Sequence, residues 1–507
     1  MPVNRQNRAQ QICNLGKHYP LWSAFCLGAL TIFGFAPFFF WPVVFLIVPV
    51  LLSGLVSVKD DEKRFYMGVL FFLGIVVTHF FWGVQMTSLY FSGTWPRETL
   101  KVYGASTAAL LGFFVPTLLL YGGAFVVFPH VLSRLPQFVK PWGFALIMVL
   151  AESFIGLPYR NGFPWFSAGY MLSDNLYLMQ AASVGSVSLL SFLLWGMSAN
   201  FALGGKYAKF TLGLFMVWLA FGVVRIKTAT APENYTPLRL IQANSGIEDG
   251  LTERGKRQVF LDHILVSQDP PEIENKLTIW PEAAAPFFLE EYPAAMERIM
   301  GVARPEILTG SLYRKFDENS QENTLYNVTS LIDKDDGVRQ MVAKQFLVPF
   351  GEYFPLKKQF PDFYKKYLSG RVEFSKGEGE RLIYSQSAGN ILVLNCYEAL
   401  FSDYAARYAG QSDFMLHISN DSWFINRLAD DYFLYIARMR SVETGKPLVR
   451  VANAGTHAVF DAYGRILFVN TSDFAEAKDV QVPKDGSVQT IWSWLIQRVD
   501  GLNIGHL

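Results

Sequence analysis

The 507-residue sequence predicts two different parts, a multi-span α-helical membrane domain followed by a water-soluble α/β domain. Charged residues make up 17% of the chain, against about 25% in an average soluble protein. Their distribution is uneven, because only 19 lie in residues 1–224 and 68 lie in residues 225–507. The first part is therefore about 8% charged, as a membrane domain is, and the second about 24%, as a soluble domain is.

Charge and cysteine content exclude several classes of protein. A net charge of +1 and a pI near 7.7 give no basic surface for nucleic acid. Three cysteines, Cys13, Cys26 and Cys396, are too few for a disulfide framework. The seven histidines are scattered, and neither a phosphate-binding loop nor an HExxH motif occurs, so we expect no metal and no cofactor.

Seven apolar segments are candidate membrane spans. They are residues 20–34, 38–56, 65–96, 102–133, 141–158, 175–205 and 210–224. The sequence Gly34-Phe35-Ala36-Pro37 divides the first two segments, which predicts a helical hairpin there. The predicted organisation is a transmembrane domain over 1–224, a polar linker over 225–237, a soluble domain over 238–488 and a tail over 489–507.

Basic residues in the short loops predict the orientation of these spans. With a cytoplasmic N-terminus, the inside segments contain ten lysines and arginines and the outside loops before residue 225 contain three. An odd number of spans would then place the soluble domain in the periplasm or outside the cell. The tail is interrupted by Arg498 and Asp500, and we expect it to lie at the interface rather than to cross.

Two features of the membrane part have more than one interpretation. Glu152 lies inside a candidate span, where it either lines a polar cavity or sits at the span end and pairs with Arg160. The loop from Arg160 to Trp165 is rich in aromatic residues, which either contact lipid headgroups or form an interfacial belt.

The soluble part alternates strand-like and helix-like segments, which predicts a layered α/β or α+β domain. The predicted strands are Leu238–Gln242, Leu277–Trp280, Glu306–Leu312, Leu325–Ile332, Ile391–Leu394, Phe414–Ile418, Pro447–Val451 and Ala458–Phe460. The predicted helices are Glu253–Leu265, Tyr292–Val302 and Arg440–Lys446, and Asp461–Gly464 is predicted to be a hairpin turn.

Three polar residues stand where predicted strands stop or on an adjacent loop. Glu282 follows a hydrophobic strand, Lys344 precedes a Pro/Gly-rich loop, and Cys396 follows a buried strand. A cysteine nucleophile needs a base, and a loop lysine can stabilise an oxyanion. Each residue alone has a simpler interpretation: a buried cysteine, a solvated glutamate cap and a surface lysine.

Together these segments resemble the nitrilase, or carbon–nitrogen hydrolase, superfamily, and the whole layout resembles the apolipoprotein N-acyltransferase family within it. The matching segments begin at Phe35-Ala36-Pro37 and Gly162–Trp165, and continue with Leu347–Glu352, Cys396–Glu398, Asn420–Phe424 and Ala437–Arg440. The resemblance implies an α-β-β-α sandwich for the soluble domain. It also implies a Glu282–Lys344–Cys396 catalytic set.

The resemblance implies transfer of an acyl chain from a phospholipid, phosphatidylethanolamine, to the α-amine of a diacylglyceryl-cysteine lipoprotein. Cys396 would form a thioester, Glu282 would be the proton acceptor, and Lys344 would stabilise the oxyanion. Supporting roles fall to Glu352, Glu398 and Tyr397, and pocket roles to Asn327, Trp423 and Trp165.

The sequence departs from the family in three places. The stretch from Ser245 to Leu251 lacks the usual aromatic residue, Tyr432 and Phe433 replace a Gln-His pair, and the tail lacks a final span. Two other hypotheses stay open at this point. One is a membrane-tethered amidase that uses water as the acceptor, and the other is a non-catalytic lipid-binding scaffold.

Overall fold

The computed structural model describes residues 15–92, 99–156, 162–246, 252–317, 322–355, 357–367, 372–424, 426–484 and 486–501. Two compact units divide the chain, one over Met1–Lys227 and the other over Thr228–Leu507. The predicted linker is shorter than expected, because the last helix of the first unit continues to Lys227 and the first strand of the second begins at Tyr235.

The first unit is helical. Its helices are α1 (Pro20–Leu30), α2 (Val44–Ser57), α3 (Asp61–His79), α4 (Phe81–Ser92), α5 (Thr99–Ser133), α6 (Lys140–Ile155), α7 (Ala182–Ala202) and α8 (Gly205–Lys227). Asp60 caps α3 by accepting the Glu62 N–H, and Asp61 and Glu62 complement the helix dipole. Close backbone contact holds α1 against α3, since a Cβ on Gly28 would lie 1.9 Å from the Phe71 carbonyl oxygen.

Within the described residues, three helices have the length and hydropathy to cross a bilayer: Leu100–Ser133, Leu178–Ala202 and Gly205–Lys227. Asp61–His79 and Phe81–Ser88 would together form a fourth, with a bend of 62° between them. Apolar helices over Pro20–Gly34 and Trp41–Ser57 are shorter. Helices occupy the segments of all seven candidate spans, but the number of crossings stays a prediction.

The interior of the helical unit is aromatic and contains one carboxyl group of interest. Glu152 is buried and accepts a hydrogen bond from Trp195 Nε1 at 2.7 Å, so it faces a polar contact inside the unit. Arg160, its alternative partner, lies outside the described residues. Trp165 is buried as well, stacked on Phe163 with ring centroids 5.4 Å apart. Both interpretations of the aromatic loop were wrong for these two rings, because they pack inside the unit.

The second unit contains two β-sheets. The first has seven strands: β1 (Tyr235–Gln242), β2 (Leu277–Ile279), β3 (Ala285–Phe288), β4 (Glu306–Asp317), β5 (Glu322–Asp333), β6 (Gly337–Ala343) and β13 (Glu476–Pro483). Its order is β13-β1-β2-β4-β5-β6, with β3 beside β4. The second sheet has six strands: β7 (Leu382–Ser385), β8 (Gly389–Asn395), β9 (Phe414–Asn420), β10 (Leu448–Asn453), β11 (His457–Phe460) and β12 (Ile466–Asn470), in the order β12-β11-β10-β9-β8-β7.

The sheets pack face to face, and helices cover their outer faces. A buried aliphatic cluster that includes Leu240, Leu308, Val393 and Val451 joins the two sheets. Helices α9 (Glu253–Ser267) and α10 (Pro293–Val302) cover the first sheet, while α12 (Ser402–Ala409) and α13 (Arg427–Thr444) cover the second. A short helix α11 (Pro361–Tyr367) and a terminal helix α14 (Ile491–Gly501) complete the unit. The α-β-β-α sandwich is confirmed.

Most predicted elements of this unit are present. All eight predicted strands exist, and Gly464 N donates to Asp461 O in the predicted turn between β11 and β12. The helix predicted over Arg440–Lys446 is wrong in its bounds, because α13 begins at Arg427 and ends at Thr444. Asn426 caps its start, and Gly445 stops it with a φ of +69°.

The terminal helix α14 has 11 residues, too few to cross a bilayer. One side of it is fixed to α12, where Trp492 Nε1 donates to Ser402 Oγ and Gln497 Nε2 to Ala406 O. The other side exposes Ile491, Trp494 and other apolar residues. Contact of the tail with a membrane stays a prediction.

Candidate active site

Glu282 lies three residues after the end of strand β2, where neighbouring strands hold it. Gly310 on β4 is essential there, since a Cβ on it would lie 2.5 Å from Ala283 N and 2.6 Å from Glu282 Cα. Only glycine lets the two backbones approach this closely. The Glu282 side chain is 7% exposed, and its Oε2 accepts the Asn420 N–H at 3.1 Å.

Lys344 follows β6 directly and is fixed by its own backbone. Its N–H donates to Asn327 O at 2.8 Å, and its carbonyl accepts from Gly377 N at 2.7 Å. The side chain is 2% exposed, and Nζ lies 3.0 Å from Glu282 Oε1 and 3.1 Å from Glu352 Oε1. The lysine therefore bridges two buried carboxylates.

Asn327 completes this cluster from β5. Its Nδ2 donates to Glu282 Oε1 at 2.9 Å and to Glu352 Oε1 at 2.8 Å, so both carboxylates are held by the same two donors. The second oxygen of Glu352 accepts from Val348 N at 2.8 Å within the loop that follows Lys344. The family resemblance implied a substrate-pocket role for Asn327, whereas its amide group donates hydrogen bonds to the two glutamates.

Cys396 stands on a strained turn between β8 and the short helix Cys396–Leu400. Its φ is +49°, a conformation that non-glycine residues avoid. Asn395 and Glu398 form a reciprocal capping box around it, and Glu398 also accepts the Gln345 N–H at 2.6 Å. Glu398 thus ties the cysteine turn to the lysine loop through hydrogen bonds to both.

The charges around the thiol determine its protonation. Burial and the carboxylate of Glu282 raise the pKa of Cys396, and Lys344 only partly opposes them. Burial lowers the pKa of Lys344, but Glu282 and Glu352 outweigh it and hold that pKa well above its usual value. The cluster therefore contains a protonated lysine beside a protonated thiol, and the thiol needs a base before it can attack.

A second buried network lies behind the cysteine and was not foreseen from the sequence. His417 Nε2 donates to the Cys396 carbonyl at 3.2 Å, and Arg450 Nη1 donates to His417 Nδ1 at 3.0 Å. Burial and the Arg450 cation keep the pKa of His417 well below its usual value, so the ring is neutral. Arg450 also pairs with Asp421 and with Asp430, the latter at 3.1 Å.

Two of the departures from the family fall near this network. Phe433 packs edge-on against His417, with centroids 4.9 Å apart, and the Arg450 guanidinium lies 5.1 Å from the Phe433 ring centre. Tyr432 is buried beside it in α13. Ser245 donates its N–H to Asn453 Oδ1, but residues 247–251 lie outside the described part of the chain. The only sequence signal for His417 and Arg450 was their place within hydrophobic strands.

The remaining aromatic candidates, Tyr397, Trp423 and Trp165, lie in three different surroundings. Tyr397 is buried next to Cys396, with its ring 5.4 Å from that of Phe401. Trp423 is half-buried in the short helix Asp421–Trp423, directly after Asn420. Trp165 belongs to the helical unit, whereas Cys396 belongs to the second unit.

Removal of Arg450 is expected to destabilise the catalytic unit. Arg450→Met would leave Asp421 and Asp430 buried without their cation, a loss of about 3–5 kcal/mol for a buried pair. We expect a clearly lower midpoint of thermal unfolding in detergent. Arg427→Met is the control, because the Arg427–Asp473 pair is exposed and contributes about 0–1 kcal/mol. Equal midpoints for the two variants would contradict the importance of the buried network.

The chain is similar to known proteins along both of its units. A model of the apolipoprotein N-acyltransferase N-terminal domain matches residues 27–200, and a carbon–nitrogen hydrolase model matches residues 238–482. The apolipoprotein N-acyltransferase of Azotobacter vinelandii is 29% identical over 465 residues, covering 87% of this chain and 85% of the relative. Those of Pseudomonas syringae pv. tomato and Rickettsia typhi are 27% and 26% identical, with 87% and 92% of this chain and 87% and 93% of the relative covered. The matches include both units in their order along the chain, and the chain therefore belongs to the apolipoprotein N-acyltransferase family.

Proposed function

We propose that this protein N-acylates the α-amine of the diacylglyceryl-cysteine at the N-terminus of lipoproteins, with a phospholipid as acyl donor. The observation that carries the proposal is the buried cluster of Glu282, Lys344 and Asn327, whose charged members shift the pKa of a thiol that stands on a strained turn. The names of the relatives support the lipoprotein as acceptor. The apolar helices support a membrane enzyme whose substrates are lipids.

In the first half-reaction, Glu282 takes the thiol proton of Cys396 as the sulfur attacks the ester carbonyl of the phospholipid. Lys344 and the backbone N–H of Tyr397 stabilise the oxyanion that forms. The tetrahedral species collapses, the glyceryl oxygen leaves with the proton from Glu282, and the acyl group stays on sulfur as a thioester. Phosphatidylethanolamine is the donor that we propose.

In the second half-reaction, the free amine of the lipoprotein attacks the thioester carbonyl and gives its proton to Glu282. The carbon–sulfur bond breaks, and the sulfur regains a proton from Glu282, so the enzyme returns to its starting state. Glu352 holds the positive charge of Lys344 while Glu282 carries the proton, which keeps the oxyanion donor in place. Two steps through a covalent intermediate are the chemistry that a nucleophilic cysteine provides.

The test of this function measures release of lysophospholipid by the purified full-length protein with and without a diacylglyceryl lipopeptide. Release that depends on the lipopeptide, with the acyl chain recovered on its amine, is expected for the transferase. Release to water without the lipopeptide would instead indicate an amidase-like hydrolase. No release under either condition would indicate a scaffold, and either result would contradict the proposal.

The proposed orientation places the N-terminus in the cytoplasm and the catalytic unit in the periplasm. Cysteines introduced as Thr230→Cys and Gly505→Cys should both react with a membrane-impermeant thiol reagent in intact spheroplasts, in a background without native cysteines. Gln137→Cys is the control, because it lies in an exposed loop on the predicted cytoplasmic side and should stay unlabelled. Protection of residue 505 alone would mean that the tail crosses the membrane.

A further inference from the structure

A large cleft opens at one end of the helical unit, where several helices begin or end. Its volume is about 950 Å³, and it lies among the last turn of α2, the first turn of α3, and the segment that joins α5 to α6. Sites for drug-sized ligands are typically about 300–1,000 Å³. We name it the basic cleft after the three cationic residues that line it, Lys17, Arg64 and Lys140.

The packing of the chain holds these cations at the cleft. The segment that carries Lys17 lies directly against α2, since a Cβ on Gly16 would be 2.5 Å from Val50 O. Arg64 is 9% exposed in the first turn of α3, and Lys140 is the first residue of α6. The three charges therefore come from three separate parts of the sequence and meet at one site.

The positive charge of the basic cleft is largely uncompensated. Among the described residues, no carboxylate lies within ion-pair distance of Lys17 or of Lys140. Arg64 contacts the half-exposed Asp61 through Nη1 at 2.7 Å, while its buried Nε has no hydrogen-bond partner. A buried guanidinium nitrogen without an acceptor is costly, and an anionic oxygen in the cleft would satisfy it.

The walls of the basic cleft are apolar. Val56, Leu132 and Phe144 line it, and its accessible lining is mostly carbon. A free phosphate would use the cations and leave these walls exposed to water. A molecule with a phosphate at one end and hydrocarbon at the other would satisfy both parts. Basic pockets between membrane helices bind anionic lipid headgroups for this reason.

We propose that the basic cleft binds an anionic phospholipid, with its phosphate at Lys17, Arg64 and Lys140 and its acyl chains along the apolar walls. The charge bias of the loops predicts that this end of the helices faces the cytoplasm, so the lipid would come from the inner leaflet. This site is separate from the acyl-transfer chemistry, and its occupancy does not depend on the proposed function.

The test uses the full-length protein purified in detergent, with bound lipid measured by native mass spectrometry. Phosphatidylglycerol should be retained and should raise the unfolding midpoint more than phosphatidylcholine with the same acyl chains. The double variant Lys17→Gln/Lys140→Gln should bind phosphatidylglycerol about 30-fold more weakly, because two basic contacts are lost. Its unfolding midpoint without lipid should equal that of the unaltered protein.

The matched control is Lys59→Gln/Lys63→Gln, which removes the same charge from the same region. Both lysines are exposed and do not line the basic cleft, so phosphatidylglycerol binding should be unchanged. Equal losses in the two double variants would show general surface attraction and overturn the proposal. Equal retention of phosphatidylcholine would overturn it as well, and so would equal stabilisation by inorganic phosphate, because the apolar walls would then have no role.

Discussion

Cys396→Ala is expected to prevent formation of any acyl-enzyme and to lower acyl transfer by on the order of 10⁶-fold, as loss of a covalent nucleophile does. The physical reason is that Lys344 and Asn327 only arrange charges around Cys396, and neither can carry the acyl group. Protein incubated with phospholipid alone should gain the mass of one acyl chain on Cys396. The gain should disappear when lipopeptide is added, and the variant should show none.

Cys26→Ala is the control for this experiment. Cys26 is an exposed cysteine of the helical unit and should neither be acylated nor affect the rate. The substitution at Cys396 removes one sulfur from a half-buried turn, so loss of fold is not expected to mimic the result. A Cys396→Ala protein that still acylates lipopeptide would disprove the assignment of the nucleophile.

Glu282→Gln should slow both half-reactions, because the same carboxylate accepts the proton of the thiol and then that of the amine. Loss of general-base assistance costs about 10²–10⁴-fold. Glutamine preserves the size of the side chain and one acceptor for Lys344 and Asn327, but its amide cannot take a proton. Thioester formation is followed as mass gain on Cys396, and aminolysis as loss of that mass after lipopeptide is added.

Two further variants make the result for Glu282 specific. Lys344→Met should lower acyl transfer by about 10²–10³-fold, the cost of one oxyanion donor, and leave the thiol open to alkylation. Glu297→Gln, at an exposed helical position, should have no effect. If Glu282→Gln slowed aminolysis but not thioester formation, another group would have to be the base for the thiol.

Hydrophobic patterning predicted the larger elements of the fold because burial alone accounts for them. The apolar segments became helices, and the eight predicted strands were fully or largely buried in the sandwich. Two of the missed strands carry a different pattern. Glu476–Pro483 contains polar residues and is a strand because it pairs antiparallel with Tyr235–Gln242. Glu476 lies opposite Gln242, which is 234 positions earlier in the chain. Ile466–Asn470 is largely exposed at a sheet edge, so it lacks the buried pattern.

The residues of the candidate site also fall into two groups, those that the sequence predicted and those that it did not. Glu282, Lys344 and Cys396 could be selected from the sequence because each is a reactive residue at or near a predicted strand end within a family-like segment. Their partners could not be selected from the sequence. Asn327 and His417 are each one polar residue within a strand, and nothing in the adjacent sequence marks them as part of a site. Whether such a residue touches a carboxylate or a backbone carbonyl depends on which strands are neighbours.

The order of amino acids is enough to predict that this protein has a helical apolar part and a soluble α/β part, and which residue types are available for acyl transfer. Local composition and periodicity carry that information, because they record which surfaces avoid water. Three-dimensional packing, in contrast, brings Lys344 between Glu282 and Glu352 and sets Gly310 beside Glu282. It also brings His417 and Arg450 behind the cysteine turn. These contacts join residues far apart in the sequence, and their distances are set by the register and packing of two sheets.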